Sequence, residues 1–175
     1  MGIYGALIAK ILGAKVLAID IDDQKLNIAK ENGVDEILNV KELDIKATKS
    51  KVREIAKNLG ASPFRWKIYE LSGTKGGQEL GFNLLTFAST LSIVGFTMDK
   101  LEVRLSNLMA FDAQLIGTWG CKPELYPEVV NLVETGKLKI EKFVETFPLS
   151  KINEVFKNTL EHKYKKRSVM VPDYN

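Results

Sequence analysis

The sequence has almost none of the residues from which disulfides and zinc sites are built. Its 175 residues include one cysteine, Cys121, and one histidine, His162. A single cysteine excludes a disulfide within the chain, and the two residues together cannot form a Cys/His zinc cage. A histidine-dependent catalytic triad has only one candidate base. We therefore expect no disulfide framework and no metal ligands in this chain.

Long apolar runs and a strong charge bias are also missing. No apolar run reaches the roughly 18 residues that a membrane span requires, so we expect no membrane partner. The formal net charge of +3 is too small to indicate nucleic-acid binding. Residues 1–5 lack the basic region and cleavage site of a signal peptide, which predicts a cytoplasmic location. The composition, 45% hydrophobic and 27% charged, is typical of a folded domain.

The chain alternates between helical and strand-like spacing of its apolar residues. Helical spacing is found in residues 3–12, 22–32, 45–59, 77–87, 106–111, 123–134 and 150–160, the last with Ser150 as its expected N-cap. Strand-like segments are 16–19, 36–40, 66–71, 90–96, 113–117, 139–147 and 169–171. Strands that alternate with helices predict a doubly wound α/β fold with a parallel sheet. The alternation weakens after Gly136, so we predict one domain in residues 1–136 and a separate segment in residues 137–175.

The start of the chain carries half of a dinucleotide-binding fingerprint. The full pattern is a strand, G-x-G-x-x-G, a helix, a second strand and an acid that binds the ribose. Here Gly2 has the place of the last glycine, at the helix N-terminus where the pyrophosphate binds. Asp20 has the place of the acid, whose charge favours NAD over NADP. The earlier strand and glycines are not in the sequence, and spacing alone leaves Asp20 equally open to the role of a helix N-cap or a solvated strand end.

Beyond this spacing, the residues themselves resemble a known family. The run MGIYGALIAKILGAKVLAIDIDDQKL is similar to the cofactor domain of the zinc-type, medium-chain alcohol dehydrogenases. The resemblance implies a Rossmann fold, an NAD cofactor and a contact between Lys25 and the adenosine ribose. It also implies that the backbone of Val94, Gly95 and Phe96 holds the nicotinamide carboxamide.

Two further segments extend the expected cofactor site. The stretch FPLSKINEVFKNTLEHKYKKRSVMV fits the C-terminal segment of that family, which returns to the catalytic domain. The resemblance implies that Arg167, within this stretch, contacts the pyrophosphate. Ser72 and Gly73 are candidates for a loop at the edge of the cofactor, although a tight turn after a buried strand explains them equally well.

A narrower similarity concerns the substrate. The segments WKIYELSGTKGGQE, LEVRLSNLMAFDAQLIGTWGC and PELYPEVV resemble the 6-hydroxycyclohex-1-ene-1-carbonyl-CoA dehydrogenases, a group within the same family. This resemblance implies the oxidation of a secondary ring alcohol to a ketone with NAD, in anaerobic benzoyl-CoA degradation.

The sequence departs from the family because it has no counterpart of the N-terminal catalytic half. In the family that half holds the zinc, the proton relay and much of the substrate pocket, so we expect zinc only there and no catalytic residue here. The predicted fold is a doubly wound sheet that lacks its first, central strand, followed by a tail that belongs to a catalytic domain. We expect the chain alone to be inactive and its affinity for NAD to be weak or lost.

Two protein partners are expected from this incomplete fold. The first is the missing N-terminal half, if the gene is split, because loss of a central strand exposes two inner sheet edges. The second is another copy of the chain, joined edge to edge through the strand at residues 113–117. Cys121 is expected to be packed, His162 to be solvated, and Trp66 and Trp119 to be core or interface aromatics.

Two other functional classes remain open on the sequence. One is a nucleotide-binding or interaction module without chemistry. The other, more distant, is an S-adenosylmethionine-dependent methyltransferase, which also has an acid at the end of its second strand. Such methyltransferases have an antiparallel last hairpin and a fuller glycine-rich first motif, and neither pattern is present here.

Overall fold

The computed structural model describes residues 1–161 and 163–173, so His162 lies outside the described residues. Helices and strands alternate through most of the chain, as the apolar spacing predicts. The helices are α1 (Gly2–Ile11), α2 (Asp23–Glu31), α3 (Ile45–Asn58), α4 (Lys75–Asn83), α5 (Ser106–Ala110), α6 (Tyr126–Glu134) and α7 (Ile152–Leu160). The strands are β1 (Leu17–Asp20), β2 (Glu36–Asn39), β3 (Lys67–Glu70), β4 (Thr90–Ile93), β5 (Gln114–Gly117), β6 (Val144–Pro148) and β7 (Arg167–Val171).

All strand pairs in the described residues are parallel, and they form three separate sheets. β1 pairs with β2, β3–β4–β5 form a three-stranded sheet, and β6 pairs with β7. The expected α/β fold with parallel strands is confirmed. Within the described residues β1 and β3 have no strand between them, so the central strand of a doubly wound sheet is missing and the sheet is divided as predicted. The parallel pairing of β4 with β5 also argues against the antiparallel hairpin of a methyltransferase.

Two apolar clusters hold the first compact unit, Met1–Lys122, together. One joins the two sheets of this unit through Leu38 of β2, Val52 of α3 and Leu84, with residues of both β1 and β3 packed against it. The other lies under β4 and consists of Phe82, Leu85 and the fully buried Leu91. Helix α3 therefore contributes to the apolar contacts that join the two sheets. No helix in the described residues is long and apolar enough to cross a membrane.

The second compact unit is Pro123–Asn175 and contains α6, α7, β6 and β7. It begins earlier in the chain than the boundary near Gly136 that the sequence suggests. One contact that ties α6 to the segment after it is the hydrogen bond from the amide of the buried Leu138 to the carbonyl of Leu132 (2.8 Å). Residues 139–147 are not extended throughout, because Glu141–Phe143 is a 3-10 helix that precedes β6.

Helix starts follow their capping residues in the first unit but not at α7. Asp22, Asp44 and Thr74 cap α2, α3 and α4 by accepting backbone amide hydrogens. The prediction that Ser150 caps the last helix is wrong, since α7 begins after Lys151 without a side-chain cap. Ser150 instead donates its hydroxyl to Asp173 Oδ2 (2.5 Å) and its amide to Asp173 Oδ1 (3.1 Å), so its side chain is engaged elsewhere.

Candidate functional site

The candidate site lies at the carboxyl ends of the parallel strands of the first unit. In doubly wound sheets ligands bind beyond these ends, where the loops after neighbouring strands meet. Six of the nine residues that the sequence analysis selects for cofactor binding lie at the end of β1 or in the loops after β3 and β4, namely Asp20, Ser72, Gly73, Val94, Gly95 and Phe96. The structure brings the last five of these together in two touching loops.

Asp20 ends β1 with one carboxylate oxygen engaged and the other open. Asp20 Oδ1 accepts the amides of Ile21 (2.7 Å) and Asp22 (3.1 Å). Its Oδ2 has no hydrogen-bond donor among the described residues. Asp22, not Asp20, caps α2, so the reading of Asp20 as a helix N-cap is wrong. The half-buried Asp20 therefore presents a fixed acceptor at the strand end, and the exposed Lys25 lies in the first turns of α2.

Two glycines allow the loops after β3 and β4 to interlock. Gly73 has a φ of +64°, and a Cβ added to it would lie 2.7 Å from the carbonyl oxygen of Phe96. A Cβ added to Gly95 would lie 2.2 Å from the amide nitrogen of Gly73. Neither position leaves room for a side chain, because backbone atoms occupy the space. The Nε2 of Gln78 on α4 also donates to the Gly95 carbonyl (3.3 Å), which fixes that loop from the helix side.

A buried acid, which the sequence analysis did not select, lies beneath both loops. Glu70 is the last residue of β3 and is 4% exposed. Its Oε1 accepts the amide of Ser72 (2.8 Å), the hydroxyl of Ser72 (2.5 Å) and the amide of Gly73 (3.1 Å). The available signal was an acid at the end of a strand, two residues before the Ser-Gly pair. Gln78 and Thr74, which also order these loops, gave no signal that distinguishes them from solvated polar residues.

The sequence profile of the zinc-binding dehydrogenase family matches residues 1–135. The chain belongs to that family. Among curated relatives, L-threonine 3-dehydrogenase of Pyrococcus furiosus is 29% identical over 147 residues, which are 82% of this chain and 40% of that protein. An alcohol dehydrogenase of Geobacillus stearothermophilus is 26% identical over 167 residues, which are 94% of this chain and 46% of that protein. The chain thus spans less than half the length of these relatives.

Solved structures of the same type share the fold. A zinc-binding-domain alcohol dehydrogenase from Burkholderia ambifaria superposes with a TM-score of 0.82 at 23% identity, over 99% of this chain and 46% of that one. Benzyl alcohol dehydrogenase from Acinetobacter calcoaceticus gives a TM-score of 0.81 at 21% identity, over 98% of this chain and 47% of its own. At these identities the likeness establishes the fold of this zinc-binding dehydrogenase chain and not its substrate.

Two further predicted site residues, Gly2 and Arg167, belong to neither of the interlocked loops. Gly2 is the exposed first residue of α1, and no atom lies within 4 Å of an added Cβ, so nothing in the described chain requires glycine there. Arg167 is the exposed first residue of β7 and belongs to the second compact unit. The roles of Gly2 and Arg167 in cofactor binding stay predictions.

Residues that follow β5 are more exposed than the sequence predicts. Cys121 is an exposed free cysteine, so the expectation that it is packed is wrong. All residues from 117 to 122 are exposed, which places this stretch beyond the apolar clusters. Trp119 is 88% exposed and stacks edge-on against Phe96, with ring centroids 6.3 Å apart, whereas Trp66 packs against the first cluster. In the described part of the chain no three His, Cys, Asp or Glu residues are arranged to hold a metal ion.

Proposed function

We propose that this chain is the NAD-binding portion of an alcohol dehydrogenase that oxidises a secondary alcohol to a ketone. The observation that carries the proposal is the interlock of Gly73 and Gly95 at the carboxyl ends of β3 and β4. It brings the backbones of the two loops into direct contact at the edge where doubly wound sheets bind nucleotides. Membership of the zinc-binding dehydrogenase family supports the same assignment.

Each group in the proposed site has a defined task in binding the cofactor. Asp20 Oδ2 accepts a hydrogen bond from a ribose hydroxyl, and its charge disfavours a 2′-phosphate. Lys25 and Arg167 supply positive charge for the ribose and the pyrophosphate, and the amide of Gly2 at the start of α1 faces phosphate. The backbone of residues 94–96 orients the carboxamide. When bound, NAD supplies the nicotinamide C4 that accepts a hydride.

Calorimetry with NAD and NADP tests this assignment on the full chain. Asp20→Asn should lower the affinity for NAD about tenfold and reduce the preference for NAD over NADP, because a hydrogen bond to a charged group is lost. Glu54→Gln, on the exposed surface of α3, is a matched control and should change neither affinity. Equal binding of NAD by the Asp20 variant and the unaltered chain would contradict the proposal. Because the chain alone is expected to bind NAD weakly or not at all, the titration is repeated after assembly with a polypeptide that carries the N-terminal catalytic half, and absence of NAD binding there would favour an interaction module.

The catalytic part of the proposal concerns residues that this chain does not supply. The groups described here bind and orient a cofactor, and none of them activates an alcohol. We therefore expect no NAD-dependent alcohol oxidation by the purified chain, and turnover with bound zinc would contradict this expectation. The proposed substrate is 6-hydroxycyclohex-1-ene-1-carbonyl-CoA, tested by adding it together with NAD to the chain after assembly with a polypeptide that carries the N-terminal catalytic half.

That N-terminal half is the first proposed protein partner. The separation of β1 from β3 supports it, because an inserted parallel strand would pair with both inner edges. The nucleotide sequence upstream of Met1 tests the idea directly, since a zinc domain ending in a strand and G-x-G is expected there in frame or after a frame shift. The proposal also includes a cytoplasmic location, with which an exposed free thiol on Cys121 is compatible.

A second copy of the chain is the other proposed partner, joined through residues 113–117. β5 is an edge strand, all of its residues are exposed, and Leu115 and Ile116 are 43% and 44% exposed. An unpaired apolar edge favours pairing with another strand. Sedimentation at micromolar concentration should reveal dimers that Leu115→Lys dissociates, while Val129→Lys on the exposed side of α6 leaves them intact. A clean monomer of the unaltered chain would contradict this proposal.

A further inference from the structure

We infer that Glu70 is a positioning residue that holds the loops after β3 and β4 in register, so that both can bind the nicotinamide end of the cofactor. The inference rests on the proposed function for the identity of the ligand, and on the geometry of Glu70 for the coupling of the loops. Glu70 is the one residue among the described ones whose backbone and side chain bind the two loops separately.

The side chain of Glu70 fixes the first loop. Its Oε1 receives three hydrogen bonds, from the amide and hydroxyl of Ser72 and the amide of Gly73. Ser72 Oγ in turn lies 2.9 Å from Thr74 Oγ1, which accepts the amide of Gly77 at the start of α4 (3.0 Å). One carboxylate oxygen thus connects the strand end, the loop and the helix N-terminus.

The backbone and the second oxygen of Glu70 fix the other loop. The Glu70 carbonyl accepts the amides of Val94 (3.0 Å) and Gly95 (2.9 Å). Glu70 Oε2 lies 2.7 Å from the place where a Cβ on Gly95 would stand, so it occupies the space beneath that glycine. This oxygen is buried and accepts no hydrogen bond from the residues that the structure describes. Its contact with Gly95 therefore acts through shape, and any shift of the carboxylate changes the support under residues 94–96.

Burial of an acid at this position is costly without a specific benefit. Ile68, on the same face of β3, packs against the apolar cluster under β4, whereas the hydroxyl of Ser72 lies against Glu70. A buried carboxylate is tolerated only where donors compensate it. All three donors to Glu70 come from the Ser72–Gly73 loop, so the acid orders that loop rather than the core.

Comparing the binding of NAD with that of ADP-ribose distinguishes a positioning role of Glu70 from a general effect on the stability of the chain. ADP-ribose shares the adenosine, ribose and pyrophosphate groups of NAD but lacks the nicotinamide. In the full chain, Glu70→Ala should reduce the affinity for NAD about tenfold and leave the affinity for ADP-ribose unchanged in calorimetry. Glu70→Gln should restore most of the loss, because its Oε1 can accept the same three hydrogen bonds. The control Glu54→Gln should alter neither ligand.

Amide hydrogen exchange gives a second measurement that needs no ligand. Glu70→Ala should accelerate exchange at Ser72, Gly73 and Gly95 together, while amides in β1 and β2 keep their protection. Acceleration confined to residues 72–73, or equal losses of NAD and ADP-ribose binding, would overturn the inference. If the unaltered chain alone binds neither ligand, in line with its expected weak or lost affinity for NAD, the proposed function is tested on the chain assembled with the N-terminal catalytic half, and the exchange experiment still decides whether Glu70 couples the loops.

Discussion

Both sheets of the first unit consist of parallel strands, but different interactions hold them in place. Carboxylates organise the ends of the β1–β2 sheet. At its start, Asp35 lies 2.7 Å from Lys10 Nζ and accepts the amide of Val16 (2.7 Å), and at its end Asp20 and Asp22 bind the turn into α2. The β3–β4–β5 sheet depends instead on the fully buried Leu91 and on backbone contacts made possible by glycines.

Because of this difference, we expect the two halves of the proposed cofactor site to respond differently to substitutions and to pH. Charged and capping interactions at the surface are individually worth about 1 kcal/mol and depend on pH and salt. Close packing depends on volume and fails when a single methyl group is added or removed. We therefore expect the β3–β5 sheet to be sensitive to changes of one or a few carbon atoms, and the β1–β2 sheet to be sensitive to acid.

The largest expected effect is a cavity under β4. Leu91→Ala removes a side chain with no exposed surface and should lower the free energy of unfolding by about 3 to 4 kcal/mol, measured by urea denaturation. Leu115→Ala is the matched control, because Leu115 is paired with Leu91 in the sheet register but is 43% exposed. Its expected cost is below about 1 kcal/mol. Similar costs for the two variants would contradict the packing argument.

Two adjacent glycines on α4 should respond to the same substitution with opposite signs. A Cβ on Gly77 would stand 2.2 Å from Ser72 Oγ and 2.8 Å from Glu70 Oε1, so Gly77→Ala should destabilise the chain by about 2 kcal/mol. Gly76 has no atom within 4 Å of an added Cβ, and Gly76→Ala should stabilise the helix by about 0.5 kcal/mol. Thermal unfolding compares the pair. A stabilising Gly77→Ala would show that the Glu70 network is not rigid.

The β1–β2 sheet should lose stability in acid through Asp35. Burial alone would raise the pKa of Asp35, but hydrogen bonds from Lys10 and Val16 and the charges of Lys10 and Lys15 lower it from 3.8 to about 2. A lowered carboxyl pKa contributes stability above pH 3.8, and that contribution is lost as the pH falls through about 2. Asp35→Asn should therefore cost about 1 to 2 kcal/mol at pH 7, with screening by solvent included, and should flatten stability between pH 4 and 2.

Two lysines beside Asp35 provide the controls for that experiment. Lys10→Gln removes the ion pair at 2.7 Å and should reproduce most of the loss at pH 7. Lys15 lies 3.6 Å from Asp35 and its side chain is 60% exposed, so Lys15→Gln should change stability by less than about 0.5 kcal/mol. An unchanged pH profile in Asp35→Asn would show that the ion pair does not stabilise the β1–β2 sheet.

The sequence predicts the local features of the first unit, such as Asp20 at the end of β1, better than the contacts between loops of the β3–β5 sheet. The alternation of helices and strands, the parallel sheets and the position of Asp20 at the end of β1 are local patterns, and the structure confirms them. The contact of Gly73 with Gly95, and the support of both by Glu70, join residues from different strands. No periodicity of apolar residues records such a contact. The resemblance to a known family selected residues 94–96, Ser72 and Gly73 stayed equally open to a tight turn, and the acid that connects the two loops was not selected.

Two of the local predictions that are wrong have a common physical cause. Ser150 has the side chain of an N-cap but binds Asp173, which is distant in the sequence and offers a charged acceptor. Cys121 is a residue type that is usually buried, yet it follows the exposed edge strand β5, where no element covers it in the described structure. In both cases a tertiary arrangement decides against the local preference, and a single sequence does not encode that arrangement in its spacing.

The smallest expected effect concerns strain at the start of the β3–β5 sheet. Three residues other than glycine have positive φ in the described chain, Arg65 (61°), Ala88 (53°) and Asp112 (46°), and they lie just before β3, β4 and β5. The amide of Arg65 donates to the carbonyl of Phe87 (2.8 Å) and that of Ala88 to the carbonyl of Phe111 (2.7 Å), so hydrogen bonds between the segments that precede the strands hold this conformation. Ala88→Gly should relieve the strain and raise stability by about 0.5 kcal/mol, whereas Ala110→Gly, at an exposed helical position, should lower it by a similar amount. Calorimetric melting resolves the sign of a change in stability more reliably than its size when the change is small. A loss of stability in both variants would therefore show that the β3–β5 sheet stores no strain at Ala88.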